Sequence, residues 1–237
     1  MIFKLKNLLK YCLGLLYKIN PIFRISLRNH LTVFVFHEVS DTPSEFTRNF
    51  GLSLSVSQFK KQVHWINENF NVIIPELLIT NEALPINAAL ITFDDGFAGV
   101  FKNAYPILNH LDLPSVMFMN MQPQIEKSPL LSALVIYLTT HCRDFSNYID
   151  RIGLTKPAYL SVTPEIIAQF KLEFDMPETS EILKFQGELV DTETMEVWDS
   201  CSNVYYGNHL YDHWNATAIS QAELEHQYYL NNLALQN

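Results

Sequence analysis

Two adjacent carboxylates close the run "LITFDDGF", Leu90 to Phe97, and two histidines four residues apart lie in "GNHLYDHW". Asp94 and Asp95 follow an apolar, strand-like stretch. Successive side chains of a strand point to opposite faces, so one carboxylate can hold a metal ion while its neighbour faces a substrate. An acidic turn, with Asp94 capping a following helix and Gly96 supplying the bend, would use the same residues. His209 and His213, on one turn of helix or in a tight loop entering one, present both imidazoles to the same side and can share a metal. Each pattern alone is common. Here both stand at the end of a predicted strand, where parallel α/β folds gather their active groups. His37 and Glu38 end another predicted strand and are expected at the rim of such a site.

The elements that must carry these groups are legible from hydrophobic periodicity. "LTVFVF" (31–36), "NVIIP" (71–75), "AALITF" (88–93), "SVMFMNM" (115–121) and "NVYYG" (203–207) read as short, buried strands. Between the first two, Phe59, Val63, Ile66 and Phe70 recur at helical spacing, with Ser57 as the expected N-cap. A helix is expected after Gly96, with Pro106 kinking it or marking its first turn. Strands alternating with helices predict an α/β sheet or barrel with parallel strands. From 122 to about 202 the pattern turns mostly helical, including "SPLLSALVIYLTTHC" and "TPEIIAQFKLEF", the latter with Thr163 as cap and Pro164 in the first turn. Some 80 residues exceed a plain connection, which predicts a helical insertion at about 122–202. After the last strand, Ser220 and Glu223 form a capping-box pair that opens a final helix.

Composition sets outer bounds. The 237 residues are 48% hydrophobic and 13% aromatic with few Gly and Pro, which fits a folded chain with a full core and excludes a disordered or fibrous one. A formal charge of -9 repels a phosphate backbone, and nucleic acid is not an expected partner. Charge is uneven: six of the 16 Lys and Arg fall within residues 1–37, which hold no acid. At 100° per residue, residues 3–19 gather Leu5, Leu8, Leu9, Cys12, Leu15, Leu16 and Ile19 on one face, with Lys4, Lys6, Lys10 and Lys18 opposite. Residues 1–30 are therefore read as a basic amphipathic arm, packed on the domain or making peripheral membrane contact through residues 1–20. Its uncharged stretch, Tyr11 to Tyr17, is far short of the roughly 20 residues that span a bilayer. Three scattered cysteines form neither a disulfide framework nor a zinc knuckle.

Taken together, "ITFDDGF" and "GNHLYDHWN" resemble the first two motifs of the polysaccharide deacetylases, the NodB-homology domain of carbohydrate esterase family 4. The segments "FHEVSD", "SVSQFKKQVHWI" and "NAYPILNHLDLPSVMFMN" resemble flanking stretches of bacterial members. The resemblance runs from about Leu31 to Met121 and again from about Met195 onward. It implies an α/β fold, a partial (β/α) barrel of the NodB-homology type, with residues 31–237 forming an incomplete deacetylase-like domain. It further implies Asp94 as catalytic base, Asp95, His209 and His213 as metal ligands, and a divalent cofactor, Zn2+ in the first place, with Co2+, Fe2+ or Ni2+ as other candidates. The expected partner is an acetylated polysaccharide or oligosaccharide, deacetylated at nitrogen or, secondarily, at oxygen. His37, Glu38, Tyr211 and Trp214 are the candidate substrate contacts, the two aromatics by stacking on sugar rings, with burial in the core as the alternative for Tyr211 but not for Trp214.

The sequence departs from the family after His213. The later Arg-containing motif, the apolar pocket residues and the Leu-x-His that supplies the general acid are not found, so the chain is expected to hold about two-thirds of such a domain. His37 and His226 are the candidate substitute acids. The alternative expectation is a non-catalytic carbohydrate-binding remnant or partner subunit that keeps the shape of the site.

Overall fold

The computed structural model describes residues 30–80, 82–154, 157, 160–201 and 203–236. The amphipathic segment expected at 3–19 lies outside these residues.

Five of the described strands form one parallel sheet. β1 (Thr32–Phe36), β5 (Ala88–Asp94), β6 (Ser115–Met119) and β7 (Val204–Asn208) run in the order β1-β5-β6-β7, and β4 (Asn71–Val72) pairs with the start of β5. β2 (Glu38–Val39) and β3 (Ser53–Leu54) form a separate two-stranded parallel pair. The register sets Phe34 beside Ile91, Phe36 beside Phe93 and Thr92 beside Val116. With a period of two, Phe34, Phe36, Ile91, Phe93, Met117 and Tyr206 share one face. That face is the main core: Phe59, Val63 and Ile66 of α2 (Val56–Asn69) pack on it, and Phe36 meets Phe59 edge-on at 5.2 Å. Each fully buried apolar side chain there stabilises the fold by about 1.5–3 kcal/mol.

The opposite face carries Val33, Val35, Leu90, Thr92 and Phe118, and beyond them Asp94 at the end of β5. Val33 and Val35 are about half exposed, and among the described residues no helix covers that part of the face. Asp94 therefore stands at the carboxyl rim of an open sheet surface.

Local sequence explains the helix starts. α2 begins two residues before the expected Ser57: Ser55 is the cap, because Gln58 returns its side chain to the Ser55 N–H while the Ser55 hydroxyl accepts from Gln58 N. After β5, a π-turn (Val100–Ala104) precedes α3 (Tyr105–His110), with Pro106 in the first turn of α3. α1 (Glu45–Phe50), like β2 and β3, has no counterpart in the sequence reading.

Between β6 and β7 come six helices among the described residues: α4 (Met121–Glu126), α5 (Leu131–His141), α6 (Arg143–Arg151), α7 (Pro164–Glu173), α8 (Thr179–Gln186) and α9 (Thr192–Asp199). They hold a second core in which Phe145 and Phe170 meet edge-on at 4.9 Å. This block returns to the sheet beside the carboxylates: Ala98 N donates to Glu188 O and Val190 N donates to Gly96 O. α10 (Gln221–Leu235) follows β7, capped by Ser220 on Glu223 N. Among the described residues no helix is long and apolar enough to cross a membrane.

Candidate metal centre

The chain turns sharply where β5 ends. Asp95 and Gly96 both adopt positive φ, 72° and 75°, and Asp95 N donates to Phe118 O on β6. At Gly96 a Cβ would lie 2.7 Å from Met119 Cε, so glycine answers both the backbone conformation and the close approach. The turn separates the two carboxylates. Asp94 keeps the open-face direction of β5, while Asp95 is folded inward and only 3% exposed.

Asp95 Oδ1 is buried without a hydrogen bond. His213 Nε2 stands 3.2 Å from it and His209 Nε2 3.7 Å, and the imidazole centroids are 5.1 Å apart. All three ligand atoms lie within 4.8 Å of one another. Atoms bound at about 2.0–2.2 Å to one tetrahedral ion are separated by about 3.3–3.5 Å, so the spacing fits a shared divalent ion. The donor set fits as well: two imidazoles and one carboxylate leave coordination positions open, and the orphaned carboxylate oxygen has no other partner to lose.

Electrostatics favour the same use. Burial pushes the His209 pKa down to about 4; the neighbouring His213 adds to this, Asp95 opposes it and His37 contributes in the same downward sense. His209 is thus neutral near pH 7, the form that binds metal. Burial raises the Asp94 pKa to about 6, His37 opposing, the adjacent Asp95 reinforcing and His213 opposing. A carboxylate with that value is ionised at neutral pH yet basic enough to take up a proton. His37 Nε2 lies 3.8 Å from Asp94 Oδ2.

The histidines occupy a loop, the second of the two expected settings. Leu210 and His213 have positive φ, 67° and 61°. Hydrogen bonds clamp this loop. His209 N donates to Met119 O, Asn120 Nδ2 to His209 O and Leu210 O, and Leu210 N to Asn208 Oδ1. Further along, Gln122 N donates to Tyr211 O and Asp212 N to Gln227 Oε1. Asn120, Gln227 and Asn231 are buried polar residues absent from the sequence reading. A usable signal existed: Leu224, Gln227, Asn231 and Leu235 recur along one helical face, so two amides interrupt an otherwise apolar stripe.

The other candidates separate. His37 stands beside Asp94, at the rim as expected. Glu38 is buried, its Oε2 accepting from Ser44 N and Thr47 Oγ1, so it anchors α1 rather than facing a ligand. Trp214 is 8% exposed, packs in the second core, donates Nε1–H to Asp212 Oδ2 and lines the cavity beside His213. Tyr211 is half-buried against the main core. His226 is exposed on α10. A cavity of about 240 Å³ adjoins the centre, with His213, Ser132, Val135 and Leu160 in its wall. A larger hollow of about 470 Å³, bounded by Met121, Met195 and Tyr206, includes none of these site residues.

Comparison with solved structures bears on the fold. The Streptococcus pyogenes deacetylase PplD in complex with acetate superposes with a TM-score of 0.53 at 14% identity, over 86% of this chain and 67% of that one. The chain has a deacetylase fold. A polysaccharide deacetylase from Bacillus cereus aligns at a TM-score of 0.49 and 12% identity, over 87% of this chain and 46% of its own. In sequence, YxkH of Bacillus subtilis (strain 168), whose name assigns it provisionally to the polysaccharide deacetylases, is 27% identical over 94 residues, 38% of this chain. The match spans 31% of the length of that relative. No family model matches the chain. The chain thus resembles polysaccharide deacetylases in sequence and adopts a deacetylase fold, a mixed α/β architecture on a parallel sheet.

Proposed function

We propose that the chain is a metal-dependent hydrolase that removes N-acetyl, or secondarily O-acetyl, groups from a polysaccharide. The observation that carries this reading is the convergence of both histidine Nε2 atoms on the unpartnered Asp95 Oδ1, with Asp94 ionisable at the adjoining rim. In this reading residues 31–237 form a partial barrel of the NodB-homology type, and the helices between β6 and β7 are an insertion that shapes one side of the site.

Asp95, His209 and His213 would hold the ion. A divalent metal there, zinc in the first place, supplies carbonyl polarisation and lowers the pKa of a bound water. Asp94 takes the proton of the attacking water: its pKa of about 6 keeps it ionised above that pH while giving it more basicity than an exposed carboxylate. His37, 3.8 Å from Asp94 Oδ2, offsets the charge that burial disfavours. Neutral His209 has no proton to shed before it can bind a metal near pH 7. The departing sugar amine needs a proton, which Asp94 can return once it has accepted one from water.

Release of acetate from N-acetylated chito-oligomers by the purified chain, with zinc or cobalt added, tests the proposal. Activity should depend on the added metal and fall by at least about 100-fold in Asp94→Asn. Binding of the oligomers without acetate release would instead assign a carbohydrate-binding role to the same site.

A further inference from the structure

The loop that carries both histidines is costly in isolation. Leu210 and His213 are non-glycine residues in the left-handed region, a conformation that persists only where its surroundings over-determine it. Beside the clamps from Met119, Asn120 and Gln122, α10 supplies two more, and they are polar.

Asn231 has no exposed surface, and its side-chain amide is fully used. Its Nδ2 donates to Met119 O at 2.8 Å and to Asn208 Oδ1 at 3.0 Å, and its Oδ1 accepts from Met121 N at 2.8 Å. Asn208 Oδ1 in turn accepts from Leu210 N at 2.8 Å, the residue after His209. One turn earlier on α10, Gln227 is 4% exposed. Its Oε1 accepts from Asp212 N at 2.9 Å, the residue before His213, while its Nε2 donates to Asp212 Oδ2 and Glu223 Oε1. Gln227 thus grips the backbone beside His213 directly, while Asn231 reaches the backbone beside His209 through the Asn208 side chain. Spaced four apart, the two amides face the loop from one side of the helix.

We propose that Gln227 and Asn231 are positioning residues, a two-point latch through which α10 holds His209 and His213 with their Nε2 atoms turned to Asp95. The proposal rests on the reading of Asp95, His209 and His213 as a metal centre. Burying two amides in place of leucines is a poor way to gain stability, since each must only recover its own desolvation. It is a good way to fix a loop to a fraction of an ångström, and outer hydrogen bonds to metal ligands commonly govern affinity by 10–100-fold.

The test compares wild type, Gln227→Leu, Asn231→Leu, His209→Ala and, as a destabilised control whose side chain makes none of these hydrogen bonds, Phe145→Leu. Co2+ affinity and the cobalt visible spectrum are measured together with amide hydrogen exchange of Leu210 and Asp212 in the metal-free proteins. Both latch variants should lose at least ten-fold in Co2+ affinity with an altered spectrum and faster exchange at Leu210 or Asp212, while Phe145→Leu keeps wild-type affinity. Faster exchange with unchanged affinity and spectrum would overturn the latch and leave the metal centre standing. An equal loss in Phe145→Leu would also overturn it, by showing that global stability alone sets affinity. Wild type that binds no Co2+, or His209→Ala that binds as wild type does, would remove the metal centre itself and the latch with it.

Discussion

His37 at the end of β1 places Nε2 3.8 Å from Oδ2 of Asp94 at the end of β5, two neighbouring strands bringing a base and a carboxylate to one rim. His37 is the largest influence that offsets the effect of burial on Asp94. Removing it in His37→Ala should raise the Asp94 pKa further, so the acid limb of the pH–rate profile moves to higher pH. The plateau near pH 8, where Asp94 is ionised in either protein, should stay within roughly three-fold. Acetate release measured from pH 5 to 9 checks this. An acid limb that does not move would show that the pair is not coupled.

Acid should weaken the metal-free protein through His209. Its folded-state pKa of about 4 lies below the ordinary 6.5, so the unfolded chain takes up that proton first and stability is lost as pH falls from 6.5 towards 4. Asp94 acts in the opposite sense. Its folded-state pKa of about 6 lies above 3.8, so the folded chain protonates first and stability is gained as pH falls from 6 towards 3.8. In urea titrations between pH 7 and 4.5, His209→Asn should flatten the acid loss and Asp94→Asn should steepen it, each relative to wild type. Three parallel curves would rule out both shifts.

Thr47 secures a buried carboxylate. Glu38 Oε2 accepts from Thr47 Oγ1 and from Ser44 N at 3.1 Å, and Thr47 is fully buried. Thr47→Val keeps the shape and removes one donor from a charged group, a loss worth about 1.5–3 kcal/mol. Thr47→Ser, which keeps the hydroxyl, should recover most of it. Urea denaturation at pH 7 measures both, and a Thr47→Val cost below about 0.5 kcal/mol would show that water replaces the hydroxyl.

These relationships mark what local sequence can and cannot carry. The strands from Leu31, Ala88, Ser115 and Asn203 were legible because each is a dense apolar run, and parallel pairing follows from helices placed between them. The candidate metal ligands were legible as residue types at strand ends. Glu38 was not, because its partners Ser44 and Thr47 belong to a six-residue helix that shows too little periodicity to announce itself. Trp214 beside the histidines reads as a surface aromatic until the second core, built from helices more than 40 residues earlier in the chain, closes over it. The latch amides on α10 pair with groups as distant as Met119, a separation that no local pattern encodes.

Gly207 is the last pressure point, and it tests how tightly β7 is held against β6 beneath the histidines. The register pairs Gly207 with Phe118, and a Cβ at Gly207 would lie 2.5 Å from Phe118 Cδ1 and 2.6 Å from Cε1, well inside contact distance. Phe118 cannot simply yield towards the strand end, because its ring already lies 6.4 Å from that of His209. Gly207→Ala should therefore cost about 1–3 kcal/mol by overpacking. Adding Phe118→Ala, which removes both crowded ring atoms, should return part of that cost, so the double variant is more stable than the sum of the single effects by about 0.5–3 kcal/mol. Strict additivity in urea denaturation would show that the strands shift apart instead, and that Phe118 does not transmit the strain to His209.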